Sequence, residues 1–196
     1  MEVNWLISAA LGIGLATAVG FRVFLPLLVL SLAARFDIVP IADSWQWVGS
    51  LPALILLTTA SFIEILGYYI PWVDNLLDTL AVPLAGIAGT LVLLATLVDV
   101  DPYISWALAI IAGGGTAVLF AGSTATVRAA STATTAGLGN AAVSTAETGV
   151  ATGVSVLAIF APVIAIILCI IAFYIVFKLA RKIKRKKQNK SIKRTL

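Results

Sequence analysis

The side chains able to do chemistry are few in this chain, and each stands against an apolar background. Arg22 lies in Gly20-Phe21-Arg22-Val23-Phe24-Leu25-Pro26, with a glycine before it and a proline after it. Glu64 sits inside an apolar run, one helical turn before Tyr68. Asp74 and Asp78 share one helix face at i and i+4, where two carboxylates repel unless a cation, a proton or an arginine intervenes. Arg128 and Glu147 are the charged residues of the stretch 121–153, and Asn140 lies between them, just after Gly137-Leu138-Gly139. Acid–base chemistry, cation binding and recognition of an anion by arginine are all within reach of this set. Each residue also has a plainer reading. Arg22 can snorkel to an interface, Glu64 can pair with Arg22 or Arg128, and Asp74 can cap a helix with Asp78 exposed in its first turn. Asn140 can terminate a helix instead of offering its amide to a ligand.

The background explains why these groups matter. Of 196 residues 61% are hydrophobic and 11% charged, with a mean hydropathy of +1.08, whereas soluble domains carry about 25% charged residues. An ordinary soluble domain is excluded, and lipid must cover much of the apolar surface. Charged groups inside or beside membrane spans are expensive there and face a bundle interior or a water-filled cavity. The chain has no histidine, so imidazole bases, histidine relays and histidine metal ligands are absent. Its single cysteine, Cys169, lies in an apolar run and reads as helix packing. No enzymatic activity, cofactor or metal is expected. Gly137-Leu138-Gly139-Asn140-Ala141-Ala142 fits a dinucleotide fingerprint in letters alone, without the preceding strand that motif needs. Gly113-Gly114-Gly115 lacks the lysine and hydroxyl of a phosphate loop and reads as close helix packing.

The elements that must position these groups are membrane helices. A span needs roughly 20 apolar residues. Segments 4–34, 51–70, 79–98, 103–122 and 154–177 qualify, the first interrupted around Gly20, Arg22 and Pro26. Between the last two, 26 of the 33 positions in 121–153 are Ala, Gly, Ser or Thr. Alanine dominates there and proline is missing, so a protein-buried helical hairpin or discontinuous helix is favoured over a flexible linker. The expected fold is an all-α polytopic membrane protein with five to six transmembrane helices and one or two broken or re-entrant segments. The apolar N-terminal run has only Glu2 before it, unlike a signal peptide, and is expected to stay in the mature chain. Trp5, Trp45, Trp47, Trp72 and Trp106 fall near segment ends, as interfacial anchors do. Asp99 and Asp101 read as solvated turn residues before Pro102.

Charge divides the chain into residues 1–177, with 3 basic and 9 acidic residues, and residues 178–196, with 10 basic and none acidic. The first part is read as the membrane domain and the second as a cytoplasmic polybasic tail. Positive flanks stay on the cytoplasmic side, so a multi-pass protein of the cytoplasmic membrane with its C-terminus in the cytoplasm is expected. Lys178, Arg181, Lys182, Lys184, Arg185, Lys186 and Lys187 are expected to lie along anionic lipid, at roughly 1 kcal/mol per basic residue. No nucleic-acid partner is expected, since no aromatic residues are interleaved for base stacking.

The order Gly20-Phe21-Arg22, Phe24, Pro26, Glu64, Asp74, Asp78, Pro83, Gly86, Arg128, Gly137-Leu138-Gly139-Asn140, Ser144 and Glu147 resembles an uncharacterised membrane family, the domain of unknown function 4126. The resemblance runs from about residue 9 to 175 and excludes the tail. The family pattern has a histidine and a lysine shortly before the position of Arg128. Ser123 to Val127 supply neither here. The resemblance implies that the polar positions form a set, and it carries no activity with it.

Two functions from different classes are compatible with these residues. In a small transporter or channel-like protein, Arg22 and Arg128 hold an anionic solute while Glu64, Asp74, Asp78 or Glu147 takes a proton or cation. In a non-transporting scaffold or assembly factor, the same charges are structural ion pairs. A homo-oligomer is compatible with either.

Overall fold

A computed structural model describes residues 5–168, 170, 171, 174 and 178. The chain divides into two compact units, residues 1–166 and 167–196. Among the described residues the secondary structure is helical, without strands.

The first apolar segment is two half-helices, not one span. Helix α1, Trp5–Val19, is buried on nearly every face from Ala10 onward. It ends where Gly20 and Arg22 turn their amides back to the carbonyls of Ala16 and Ala18. Helix α2, Phe24–Arg35, then starts anew, with Pro26 in its first turn, where a missing N–H does no harm. Gly20 is required by packing: a Cβ there would lie 2.3 Å from the Phe120 Cβ and 2.9 Å from the Ala117 carbonyl oxygen. The break is thereby pressed against the helix that carries Arg128.

A 3-10 turn, Asp43–Gly49, leads into helix α3, Leu51–Gly67, whose first turn is capped by the Ser50 hydroxyl accepting from the Ala53 amide. Helix α4, Pro71–Thr96, starts before the segment 79–98 expected from hydropathy, so Asp74 and Asp78 belong to its first two turns. It packs along α1, where a Cβ on Gly12 would meet Leu93 and Thr96 at 2.3 Å. Asp101 caps helix α5, Pro102–Leu108, by accepting from the Tyr103 and Ile104 amides at 2.9 and 3.3 Å. Asp99 and Asp101 are exposed, as expected of turn residues.

A π-helical turn, Ala109–Gly114, joins α5 to helix α6, Gly115–Thr135. The glycine run is close packing: a Cβ on Gly113 would lie 2.5 Å from the Gly89 carbonyl oxygen, and one on Gly114 2.6 Å from the Thr90 hydroxyl. Helix α6 stops at Ala136 and Gly137, which adopt φ of 52° and 89°, and helix α7 covers Asn140–Phe160. The small-residue stretch is thus a helical hairpin, but only one stripe of it is protein-buried. Thr126, Thr134, Ala142 and Ala146 are among its exposed positions. The expected span 154–177 is interrupted after Phe160, because Pro162 has no N–H to continue the helical ladder.

Three helical stretches are long and apolar enough to cross a membrane, Trp72–Thr96, Pro102–Thr135 and Asn140–Phe160. The pair Asp43–Gly49 and Leu51–Gly67, bent by 62°, makes a fourth if taken as one span. The count of five to six is not reached among the described residues. The breaks at 20–23 and at Ala161-Pro162 cut two apolar runs into shorter helices. Trp5, Trp47, Trp72 and Trp106 are exposed, while Trp45 packs against the core.

Candidate functional site

The break between α1 and α2 and the facing sides of α3, α4, α6 and α7 gather the singled-out polar residues into one buried region. Arg128, on α6, is 3% exposed and sits among three carboxylates. Its Nη1 donates to Asp74 Oδ1 at 2.7 Å, and its Nε donates to Glu147 Oε1 and Oε2 at 3.2 and 3.1 Å. A further, very short contact joins its Nη2 to Glu147 Oε2. Asp78 Oδ1 lies 3.5 Å from Nε, and its side chain, 27% exposed, is the most open of the three. Asp74 is held from its other side by Asn140, whose Nδ2 donates to Asp74 Oδ2 at 3.1 Å and to the Thr132 hydroxyl at 3.0 Å. Asn140 is the first residue of α7, so its amide cross-links two other helices and does not terminate one.

Arg22 is still more deeply buried, at 1% exposure, yet no carboxylate lies within ion-pair distance of it among the described residues. Its Nε donates to the Thr148 hydroxyl at 3.0 Å and its Nη2 to the Ser144 carbonyl at 2.8 Å, with a shorter contact to the Ser144 hydroxyl. Its Nη1 has no hydrogen-bond partner. The interfacial snorkelling considered for Arg22 does not occur. Both guanidinium carbons, of Arg22 and Arg128, lie 4.1 Å from the centroid of the Tyr68 ring, within cation–π range.

Glu64 pairs with neither arginine. Its Oε1 accepts the Val23 amide at 2.7 Å and its Oε2 the Phe24 amide at 3.0 Å. A carboxylate reaching over from α3 therefore caps the N-terminus of α2, where free amides and the helix dipole favour negative charge. That cap makes a broken helix tolerable in an apolar setting. Beside it lies a cavity of about 10 Å³, room for the centre of one water-sized molecule. The residues around it include Val23, Glu64, Tyr68, Asp78, Arg128 and Glu147.

Two guanidinium charges thus meet four carboxylates, Glu64, Asp74, Asp78 and Glu147, an excess of two negative charges when all are ionised. Such an excess is not sustained away from water without protons or a cation. All seven candidate residues, Arg22, Glu64, Asp74, Asp78, Arg128, Asn140 and Glu147, belong to this region. Tyr68, Thr132 and Thr148 belong to the region without being among the candidates, and Ser144, part of the family resemblance, adds its carbonyl and hydroxyl. Their signal is helical spacing: Tyr68 is i+4 from Glu64, and Asn140, Ser144, Glu147 and Thr148 fall on one stripe. Of the tail, Lys178 is described, its ammonium 5.7 Å from the Tyr174 ring centroid. Arg181, Lys182, Lys184, Arg185, Lys186 and Lys187 lie outside the described residues, as does Cys169.

Apolar helices around a buried ionic cluster at a broken helix define a helical protein of the multi-pass membrane class. The chain belongs to the domain of unknown function 4126 family, whose model matches residues 9–182. Neither a curated protein nor a solved structure matches it.

Proposed function

We propose that this protein is a small transporter or channel-like protein whose working site is the cluster between the α1–α2 break and Arg128, and that the species it handles there is a proton or small cation. The observation carrying this reading is the charge balance: four carboxylates against two arginines, with Asp78 partly exposed at the edge of a cavity that also reaches Glu64. The arginines do not offer an anionic solute a paired site. Arg128 is already engaged by three carboxylates, and Arg22 keeps one free donor. Broken helices whose ends face charged groups are a recurrent way to build sites inside membranes.

The same reading places the protein in the cytoplasmic membrane with its C-terminus inside. There Lys178 and the basic residues after it would contact anionic lipid. The scaffold reading has one observation in its favour: the Arg128 clamp ties α4, α6 and α7 together around a cavity with room for only one water.

Reconstitution into liposomes separates the two. Wild-type protein should carry protons or monovalent cations above the protein-free rate, and Arg22→Ala and Glu64→Gln should reduce that flux. Rates equal to protein-free liposomes across protons, cations and anions would leave the scaffold reading. Flux of anions without protons or cations would reverse the assignment of charge.

A further inference from the structure

Glu64 differs from the other three carboxylates in what it holds. Asp74, Asp78 and Glu147 face a guanidinium, but Glu64 uses both oxygens on backbone amides at the start of a helix, one amide to each oxygen. It shares a cavity with Asp78, whose side chain is the accessible one, while Glu64 is 4% exposed. The charged and titratable groups around it come from every side: Arg22 from the break, Tyr68 from the residue that ends α3, Asp78 from α4, Arg128 from α6 and Glu147 from α7. Their balance, with Asp74, is negative by two, so the region gains from taking up positive charge. The nearby cavity has room for a water but not for a larger solute.

We propose that Glu64 is a proton-binding site reached from Asp78, and that proton uptake there uncaps α2 and loosens the α1–α2 break. The proton first sits on an Asp78 oxygen. A water in the shared cavity accepts it while giving one of its own protons to Glu64, which leaves Asp78 ionised again and Glu64 neutral. No other bond is made or broken. The receiving atom is Oε2, whose 3.0 Å bond to the Phe24 amide is the longer of the two. A protonated oxygen becomes a donor and a poor acceptor, so the Phe24 amide loses its partner while the Val23 amide keeps Oε1. Uncapping releases the N-terminus of α2 at the break itself, where Gly20 packs against α6 and Arg22 bonds to α7. A proton on Glu64 is thereby converted into movement at the break. The inference deepens the proton-or-cation reading and rests on it for the identity of the working site.

Backbone amide exchange of the full chain in nanodiscs, followed by mass spectrometry across pH and corrected for intrinsic exchange chemistry, reads this without any transported solute. Peptides spanning Phe21–Leu25 of the wild type should exchange several-fold faster as pH falls, with peptides from α4 unchanged. Glu64→Gln, with one acceptor oxygen and an amide donor in place of two acceptors, should show fast exchange at every pH. Asp78→Asn, which leaves the cap intact, should show a weakened response. A corrected exchange rate at the break that ignores pH in the folded wild type would overturn the proposal, as would an unaltered pH response in Glu64→Gln. Should Glu64→Gln fail to fold, a full wild-type response in Asp78→Asn still removes Asp78 from the path. Transport lost with the exchange response intact tells against the transport reading alone.

Discussion

The two buried arginines occupy neighbouring positions around one tyrosine ring and are bound in opposite ways. Arg128 is wrapped by Asp74, Asp78 and Glu147, so its charge is compensated more than once. Arg22 is held by a backbone carbonyl and two hydroxyls and keeps one donor unsatisfied. A buried charge tied to opposite charges is a structural fixture, because removing one partner strands the others. A buried charge resting on neutral groups strands no opposite charge when it is removed, because its partners are a carbonyl and hydroxyls. Together they describe a clamp joining α4, α6 and α7 and a joint at the α1–α2 break held by neutral partners.

That contrast can be broken by substitution. Arg128→Met leaves three carboxylates facing one another without a cation, and a loss of about 3–5 kcal/mol is expected. It should appear as failure to purify or a large drop in melting temperature in detergent. Glu64→Ala removes the cap from two amides, at roughly 1–3 kcal/mol for an unsatisfied buried group, and should lower the melting temperature by an intermediate amount. Arg22→Met should be the mildest of the three despite the deepest burial, at about 1 kcal/mol, the worth of an ordinary net hydrogen bond. The Ser144 carbonyl and the Thr148 hydroxyl already share a bond with each other, so both stay partnered when Arg22 is gone, and the Ser144 hydroxyl is the one partner that loses its bond. Equal losses for Arg22→Met and Arg128→Met would erase the distinction between joint and clamp.

Much of this was legible in the sequence, and the limits have physical causes. Charges are so scarce that the seven singled-out residues had to meet or be wasted, and they do meet. The glycine and proline around Arg22 announced the break. What hydropathy missed was the length of α4: Asp74 and Asp78 lower the local average, yet they sit inside the helix because Arg128 compensates them there. Pairing was harder to read than membership. Pairing with Arg22 or Arg128 is one of the readings open to Glu64 in the sequence, but the amides exposed by a helix break compete for a carboxylate as effectively as a guanidinium does. The hairpin 121–160 was visible in its composition, whereas its exposure was not, since Ala, Gly, Ser and Thr suit both close packing and an open face.

Asp78 gives the most direct test of the central claim, that the over-acidic cluster is where a positive species binds and moves. Its contact with Arg128 is long and partly exposed, so Asp78→Asn should change stability by under about 1 kcal/mol. Any change in flux then reports on the site and not on folding. In liposomes carrying equal amounts of folded protein, proton or cation flux should be present in the wild type, fall at least severalfold in Asp78→Asn and be unchanged in the remote Asp101→Asn. Wild-type flux no greater than that of protein-free liposomes, or equal flux in wild type and Asp78→Asn, would contradict that claim.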